Sequence, residues 1–296
     1  MADRPPVCDY EGSAYQQTFW DTGQRTYEDQ AEARAIAALL PRSGRLLLEV
    51  GAGAGRNTPR YAAFERVVLL DYSRTQLEQA RARLGTGERY IYVAADAYTL
   101  PFVPGLFDAA TMIRVIHHMA DAPAALRQVR AVLQPGGAFI LEFANKQNLK
   151  AILRWLLRRQ AWSPFDPAPL EFAALNFDFH PGTMLAWLHA SALEPQQVRA
   201  VSYFRLEWLK RALPTRLLVS LDTMVQPTGW LVQLSPSVFV LARAQGQSPA
   251  PAAGQFFRCP VCGSSELPNT GGHLECAGCG RQWPIRDGIY DFKEPV

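Results

Sequence analysis

The feature that most constrains the fold of this chain is a series of short, almost uninterrupted apolar segments separated by helix-like segments. The apolar segments are LLLEV (46–50), VVLLD (67–71), YIYVAAD (90–96), FDAATMI (107–113) and AFILEFA (138–144). Strands that are buried on both faces have such continuous apolar sequences, whereas half-exposed strands alternate. The pattern therefore predicts an α/β fold in which helices cover both faces of a parallel sheet.

The boundaries of the helices follow from their start and stop signals. Ser73 and Gln76 form a capping-box pattern, and Gly85 is a suitable stop for the helix that they begin. Asp121 is a candidate N-cap for a later helix. The predicted helices run over 28–40, where Pro41 ends the first one, from Ser73 to about Leu84, and from Asp121 to the sequence QPGG at 134–137.

After residue 144 the pattern becomes less regular. We interpret 146–181 and 205–236 as insertions that decorate one end of the sheet. The remaining predicted elements are an amphipathic helix over 148–162, a helix near 183–192, and strands over 198–204 and 237–243.

A linker at 244–255 divides the chain. Its sequence, AQGQSPAPAAGQ, has no charge and no periodicity. Hydrophobic residues make up 48% of the 296 residues, so the first domain (1–243) has ample material for a core. The tail (256–296) is so short that a hydrophobic core alone rarely stabilises it, and bound metal is a common support.

A glycine-rich turn, EVGAGAGR (49–56), lies between the first predicted strand and a helix. Glycines allow the backbone to approach a ligand, and helix N-terminal amides point toward it. A dinucleotide fingerprint would require glycine at position 56, which is Arg56, so the spacing is instead E-x-G-x-G-x-G. By itself the turn could also be a simple tight connection.

Two aspartates strengthen the prediction of a ligand site. Asp71 ends the second strand and could accept hydrogen bonds from both hydroxyls of a ribose. Asp96 ends the third strand and could accept from the exocyclic amine of an adenine. Each aspartate alone could instead be a helix N-cap. The turn and both aspartates lie at the carboxyl ends of strands, where open parallel sheets bind ligands.

Five segments follow one another along the chain: EVGAGAGR, LLDYS, VAADAYTLPF, FDAATMIRVIHHM and LRQVRAVLQPGGAFILEFA. In this order and spacing they resemble class I S-adenosylmethionine-dependent methyltransferases of type 11, a group that includes quinone-biosynthesis and small-molecule enzymes. The resemblance extends over about 30–144. It implies methyl transfer (EC 2.1.1.-) and a Rossmann-like sheet of seven strands. Residues 237–243 would supply the last strand, which is antiparallel in this family.

The resemblance also assigns cofactor-binding roles to particular residues. The glycines would cradle the amino-acid portion of S-adenosylmethionine, Asp71 would hold its ribose, and Asp96 with Ala97 would hold its adenine. Ile113 and Arg114, after the fourth strand, would line the pocket. The expected cofactor-binding set is Glu49, Gly51, Gly53, Gly55, Asp71, Tyr72, Asp96, Ala97, Ile113 and Arg114.

His117 and His118 are the candidate catalytic residues. A sulfonium methyl group is already activated, so the protein mainly aligns the acceptor with the S–CH3 bond. One of the two histidines could act as a general base if the acceptor is protonated at neutral pH. Alternatively, both could pack against the substrate or orient it.

Two C-x-x-C-G motifs, CPVCG (259–263) and CAGCG (276–280), lie in the tail. Four thiolates in two such pairs suit tetrahedral zinc, and four protein ligands leave no open position, so a zinc ion there would be structural. Two disulfides or free thiols are the alternatives. His273 lies in the loop and is an alternative ligand. The predicted ligands are Cys259, Cys262, Cys276 and Cys279.

The tail, which continues through RQWPIRDGIYDF (281–292), resembles the small zinc-ribbon protein that activates tRNA, ribosomal RNA and translation-factor methyltransferases. A generic rubredoxin-like ribbon is the alternative. Because so short a ribbon has little interior, its surplus apolar residues predict that it docks on the first domain. These residues are Phe256, Phe257, Trp283, Ile285, Ile289, Tyr290 and Phe292.

The sequence constrains the identity of the methyl acceptor less than it constrains the cofactor. Aromatic residues in the insertions could wall an apolar pocket, which favours a small or lipid-like acceptor, or they could simply belong to the core. Lys150, Arg154 and Arg158 share one face of the 148–162 helix and could contact RNA, anionic lipid or an acidic substrate, or form an ordinary solvated face. With the zinc tail, this helix supports the alternative of an RNA or translation-protein methyltransferase. A non-catalytic partner-binding protein is a third hypothesis.

The N-terminal sequence MADRPPVCDYEG lacks the apolar core of a signal peptide, and no run approaches the roughly 20 apolar residues of a membrane span. Paired cysteines in a reducing compartment usually bind metal. We therefore expect a cytoplasmic protein with no transmembrane segment. The net charge of +3 is too small to indicate nucleic-acid binding by itself.

Overall fold

The computed structural model describes residues 5–14, 16–20 and 22–296. Its strands are β1 (Gly44–Val50), β2 (Phe64–Asp71), β3 (Tyr90–Ala94), β4 (Phe107–Met112), β5 (Leu133–Ala144), β6 (Leu170–Ala173), β7 (Asn176–Asp178), β8 (Leu193–Val201), β9 (Ser237–Ala244), β10 (His273–Glu275), β11 (Gln282–Arg286) and β12 (Ile289–Asp291). Its α-helices are α1 (Thr26–Leu39), α2 (Arg74–Leu84), α3 (Ala122–Val132), α4 (Leu149–Leu156), α5 (Pro181–Ala190), α6 (Glu207–Ala212) and α7 (Thr215–Val225).

Seven strands form the central sheet in the order β3-β2-β1-β4-β5-β9-β8. The pairs from β3 to β5 are parallel, and β9 is antiparallel to both of its neighbours. This arrangement confirms the predicted α/β Rossmann-like fold with an antiparallel last strand. The parallel order also places the carboxyl ends of β1 to β4 side by side at one edge.

Helices cover both faces of the sheet, which explains why its strands are apolar throughout. Leu47 of β1 packs in one layer with Ile36 of α1. Leu48, the next residue, packs in the opposite layer with Leu126 of α3. Successive side chains of a strand point to opposite faces, so both must be apolar when both faces are buried.

The cap residues behave only partly as the sequence predicts. Asp121 accepts from the backbone N–H of Ala124 at 2.9 Å, and Ser73 accepts from the backbone N–H of Gln76 at 3.2 Å. The reciprocal bond of the capping box is absent among the described residues. The side chain of Gln76 instead donates to the carbonyl of Ser13, and the N–H of Ser73 donates to Asp71. Asp71 therefore competes successfully for the amide that a capping box would use.

The helix predicted over 148–162 is wrong in length, because α4 ends at Leu156. Arg158 has a φ of 55°, and the N–H groups of Arg158 and Arg159 donate back to Trp155 and Arg154. This is a left-handed helix end of the Schellman type, which usually carries glycine. Since arginine stands there instead, the residue type at this position does not indicate the stop.

Two strand boundaries also differ from the prediction. β8 covers 193–201 rather than 198–204, because Ser202 has a φ of 66° and its N–H donates to Asp222. β5 begins at Leu133, which pairs with Phe107 before a register shift, and so includes the QPGG sequence that was assigned to a helix end.

The tail contributes three short strands at the β3 edge of the sheet. β10, β11 and β12 pair antiparallel in turn, and β12 pairs parallel with β3. The backbone of Phe256 accepts from Val103, and the ring of Phe257 stacks on Phe102 with centroids 5.9 Å apart. The sheet therefore extends to ten strands.

Candidate functional site

A pocket opens at the carboxyl edge of the sheet, where β1, β2, β3 and β4 end side by side. The glycine-rich turn (49–56) bounds it on one side, and Val7, Cys8 and Tyr10 of the N-terminal segment bound it on the other. The residues that line it are Val7, Cys8, Tyr10, Val50, Gly51, Gly53, Leu70, Asp71, Tyr72, Gln76, Ala95, Asp96, Ala97, Arg114, Val115, His118 and Met119.

The three glycines of the turn have different roles. All three have positive φ, which disfavours any other residue. A Cβ on Gly51 would lie 2.1 Å from Val115, and one on Gly55 would lie 2.8 Å from Leu84, so these two permit close packing. At Gly53 a Cβ would meet nothing nearer than Gln76 at 3.9 Å. Gly53 therefore keeps space open at the pocket itself.

Asp71 is held at the centre of the pocket by backbone donors. Its Oδ2 accepts from the N–H of Gly53 at 2.8 Å, and its Oδ1 accepts from the N–H of Ser73 at 2.9 Å. Burial raises the pKa of Asp71 to about 6, with Asp9 and Glu11 adding repulsion, although both amides oppose the shift. A carboxylate has roughly four acceptor positions, so Asp71 retains capacity for two ribose hydroxyls.

Asp96 lies on the neighbouring strand end. It is buried, and its Oδ1 accepts from the N–H of Tyr98 at 2.8 Å. This bond is a local turn that orients the carboxylate. Ala97 lines the pocket next to it.

Arg114 belongs to a charged cluster that sequence reasoning missed. Its Nε donates to Glu32 at 2.8 Å, and the Nη2 of Arg56 donates to the same carboxylate at 3.0 Å. Burial opposes ionisation of Glu32, but the two guanidinium groups lower its pKa to about 2. Both guanidinium groups also lie over the ring of Trp20, at 4.9 and 3.6 Å from its centroid. The cluster fixes the wall of the pocket beyond β4.

A signal for this cluster is present in the sequence. Glu28 and Glu32 lie four residues apart on the α1 face that also carries Ala31, Ala35 and Ile36, and that face is buried. Acidic residues on the buried face of a helix require charged partners. The arginine that replaces the third fingerprint glycine, Arg56, is one of those partners.

The two candidate catalytic histidines occupy different environments. His118 lines the pocket; its Nδ1 is 2.9 Å from the carbonyl of Leu175, and its Nε2 is 3.2 Å from the hydroxyl of Tyr10. Because a carbonyl only accepts, Nδ1 carries the proton and Nε2 is the acceptor. Burial lowers the pKa of His118, which favours this neutral form.

His117 is more enclosed. It does not line the pocket in the described part of the chain, and its buried Nδ1 has no hydrogen-bond partner among the described residues. Burial lowers its pKa well below the ordinary value, and the neighbouring His118 and Arg114 lower it further. Three other expected site residues, Glu49, Gly55 and Ile113, are likewise outside the described lining of the pocket. Glu49 is buried and accepts from Thr58 at 2.6 Å.

The N-terminal segment contributes to the pocket, although the sequence does not predict this. Glu11 accepts from the N–H groups of Arg74 and Thr75 at 2.9 and 3.0 Å, at the N-terminus of α2. Its carboxylate also lies 3.3 Å from the amine of Lys293 in the tail. These contacts hold Val7, Cys8 and Tyr10 over the pocket, and the sequence gives no sign of them because they are long-range.

The four cysteines of the tail converge. Their sulfur atoms lie within 4.8 Å of one another, with Cys259 and Cys279 3.8 Å apart and Cys262 and Cys276 3.4 Å apart. Tetrahedral zinc with bonds near 2.3 Å places its sulfur ligands about 3.8 Å apart, so this donor set fits zinc. His273 is not part of the cluster, and its Nε2 is 2.8 Å from Thr270.

Comparisons with known proteins agree with this geometry. A family described as a methyltransferase domain matches residues 48–141. The ubiquinone/menaquinone biosynthesis C-methyltransferase of Paracoccus denitrificans is 35% identical over 132 residues, 42% of this chain and 52% of that protein. The 27-O-demethylrifamycin SV methyltransferase of Amycolatopsis mediterranei is 31% identical over 204 residues, 66% of this chain and 72% of that protein. The chain thus spans only about half the length of the Paracoccus relative.

Solved structures support the fold. A chain from a complex of a methyltransferase activator and a methyltransferase of Haloferax volcanii has a TM-score of 0.56 and 15% identity, and the match covers 79% of this chain and 97% of that one. A Burkholderia thailandensis 1,6-didemethyltoxoflavin-N1-methyltransferase with bound S-adenosylhomocysteine has a TM-score of 0.51 and 19% identity, with 83% and 94% covered. Fold, pocket and relatives together show that the chain belongs to the S-adenosylmethionine-dependent methyltransferase family.

Proposed function

We propose that this protein transfers a methyl group from S-adenosylmethionine to a small or lipid-like acceptor. The observation that carries the proposal is the pocket in which Gly53, Asp71 and Asp96 meet at the carboxyl edge of the sheet. Support for the acceptor class comes from relatives named for quinone and rifamycin methylation.

The residues of the pocket suit the cofactor. Asp71 would accept from the ribose hydroxyls, Asp96 and Ala97 would hold the adenine, and the open side of Gly53 would face the amino-acid portion. Tyr72 and Arg114 would complete the walls. Glu49, Gly55 and Ile113 would support the site from behind rather than contact the cofactor. When bound, the cofactor supplies an electrophilic methyl group, so alignment of the acceptor is the main task of the protein.

For an acceptor that must lose a proton, we assign the role of base to His118 rather than His117. His118 lines the pocket and presents Nε2 as an acceptor toward Tyr10. A proton from the acceptor would reach Nε2 directly or through the Tyr10 hydroxyl. His117, which is enclosed, would pack beneath it.

We further propose that the tail (256–296) is a zinc ribbon docked on the first domain (1–243), with 244–255 as the linker. Cys259, Cys262, Cys276 and Cys279 would hold a structural zinc ion, since four sulfur ligands leave no open position. The pairing of β12 with β3 and the stacking of Phe257 on Phe102 support docking. Closely spaced thiols that bind metal favour a reducing, cytoplasmic setting.

The alternative is an RNA or translation-protein methyltransferase that carries a fused activator. Its support is the cysteine-rich tail, together with the likeness of fold to a chain from an activator complex. Incubation of the full chain with methyl-labelled cofactor and fractionated cell extract separates the two proposals. Label in the lipid or small-molecule fraction supports the first, and label in RNA or protein supports the alternative.

The Asp71→Ala variant is the control for that experiment, because labelling that depends on the pocket should be lost with it. No labelling by either protein, together with no heat of cofactor binding in calorimetry, would favour the third hypothesis of a non-catalytic partner-binding protein.

A further inference from the structure

The exposed large apolar side chains are concentrated in two parts of the chain. In the described residues, all of them except Val261 and Val296 lie between β5 and α5 or between β8 and β9. They are Leu149, Leu153, Trp155, Leu156, Leu157, Phe165, Phe172, Leu206, Trp208, Leu217, Leu221, Met224, Trp230, Leu231 and Val232. An apolar surface of this extent on a folded domain marks a site of interaction.

The orientation of α4 is the most informative detail. A surface helix normally turns its apolar stripe toward the core. In α4 the stripe is formed by Leu149, Leu153 and Leu156, and Leu153 and Leu156 are 49% and 62% exposed. The residue that is buried is Ala151, on the opposite side of the helix. The apolar face of α4 is therefore turned away from the protein.

A second apolar segment adjoins this face. The backbone N–H of Leu149 donates to the carbonyl of Leu234 at 2.8 Å, which brings residues 230–234 next to the start of α4. Leu231 in this segment is 85% exposed. We call the combined surface the rim patch, and its apolar members are Leu149, Leu153, Leu156, Leu157, Trp230, Leu231 and Val232.

Cations flank the rim patch on the same helix. Lys150, Arg154, Arg158 and Arg159 are all exposed, and the nearest acidic residues along the chain are Glu142 and Asp166. An exposed apolar face beside a row of lysine and arginine is the composition of helices that lie in the interface of an anionic bilayer. Trp230, which belongs to the patch and is 60% exposed, suits this location, because indole rings partition to the headgroup level.

The position of the rim patch relates it to the active site. α4 follows the carboxyl end of β5, and residues 230–236 lead into β9, whose first residue Ser237 lies opposite Ala144. The patch therefore lies at the same edge of the sheet as the cofactor pocket. An acceptor dissolved in a bilayer could reach this edge without crossing bulk water.

We infer that the rim patch docks the protein on the surface of an anionic lipid bilayer. In the described part of the chain no helix is long and apolar enough to cross a membrane, so the contact is peripheral. A second copy of the chain is a poorer occupant, because a two-fold interface would bring the same row of cations together. Docking on a bilayer would suit the lipid-like acceptor proposed above, but the surface alone supports it.

Co-sedimentation of the full chain with vesicles tests the inference independently of methyl transfer. We expect binding to phosphatidylglycerol-containing vesicles, little binding to pure phosphatidylcholine, and loss of binding at high salt. The double variant Leu153→Glu, Leu156→Glu should bind at least about tenfold more weakly, since two apolar contacts become anionic. Arg154→Glu replaces one cation of the helix by an anion, so it should weaken binding to the anionic vesicles and leave the slight binding to phosphatidylcholine unchanged.

Val261→Glu is the matched control, because Val261 is an exposed apolar residue of the tail outside the patch, and it should bind as the parent does. Absence of binding to anionic vesicles, or binding that the double variant leaves unchanged, would overturn the inference. So would a dimer in sedimentation equilibrium that the double variant dissociates, since the patch would then be a contact between copies. Because none of these readouts needs cofactor, failure of the proposed methyl transfer would be recognised separately.

Discussion

The two sides of the sheet's carboxyl edge differ in how they are built. On the cofactor side, the pocket residues lie on strand ends and are fixed by backbone hydrogen bonds, as Asp71 is by Gly53 and Ser73. On the other side, where we propose that the acceptor enters, α4, α6 and α7 leave large apolar side chains exposed. In the proposed function, the first side binds a cofactor whose chemistry is constant, whereas the second has to match a particular acceptor and its surroundings.

The largest effect that we expect concerns the tail, which extends the cofactor side through β3. Deletion of residues 256–296 would expose Phe102 and the β3 edge that β12 covers. Several kcal/mol of apolar burial would be lost, so the melting temperature of the remaining domain should fall by at least about 5 °C. Differential scanning calorimetry measures the change, and a metal chelator added to the full chain should act in the same direction.

Val261→Ala provides the control for the tail, because that side chain is exposed and should not affect melting. If the protein that lacks residues 256–296 had the same melting temperature as the full chain, the tail would be an independent module that recruits a partner.

The next largest effect concerns Asp71. Asp71→Ala should remove two charge-assisted hydrogen bonds to the ribose, each worth about 1.5–3 kcal/mol, and weaken cofactor binding at least tenfold. Isothermal titration calorimetry measures this directly. If a folded Asp71→Ala variant bound the cofactor with unchanged affinity, the proposed role of the end of β2 in cofactor binding would be wrong.

The pKa of Asp71 makes this binding dependent on pH. Burial raises the pKa to about 6, so the carboxylate that would accept from the ribose is ionised above pH 6 and is lost below it. Affinity should be constant near neutral pH and fall about tenfold at one pH unit below the pKa. Asp71→Asn should abolish the dependence in this window, and a dependence that persists in Asp71→Asn would assign it to another group.

The smallest effect concerns Asp96. As a carboxylate that would accept from one adenine donor, Asp96 would make a single charge-assisted bond, worth at least about 1.5 kcal/mol, where Asp71 would make two, so Asp96→Ala should weaken binding by about tenfold, less than Asp71→Ala does. If Asp96→Ala weakened binding more than Asp71→Ala, the ribose and adenine roles would have to be exchanged.

Much of the cofactor side could be predicted from the sequence because it depends on local patterns. Continuous apolar strands followed by Gly51, Asp71 and Asp96 indicate both the sheet and the edge that binds ligand. The paired cysteines likewise indicate their own convergence, since C-x-x-C spacing brings two sulfur atoms together within one turn.

What could not be predicted depends on long-range contacts. The ion pairs of Glu32 with Arg56 and Arg114 join residues far apart in the chain, as do the bonds of Glu11 to α2 and to Lys293. The early stop of α4 depends on Arg158 in a left-handed conformation, which its residue type does not suggest. The separation of His117 from the pocket is a matter of packing, since both histidines are equivalent in the sequence.

Calorimetric titration of the full chain with S-adenosylhomocysteine and, separately, with NAD tests the central claim most directly. Both ligands carry an adenosine, but the turn has Arg56 where a dinucleotide fingerprint has glycine. We predict saturable binding of S-adenosylhomocysteine that Asp71→Ala weakens at least tenfold, and no comparable binding of NAD. Tighter binding of NAD, or no binding of S-adenosylhomocysteine by the folded chain, would contradict the proposal that this pocket serves methyl transfer.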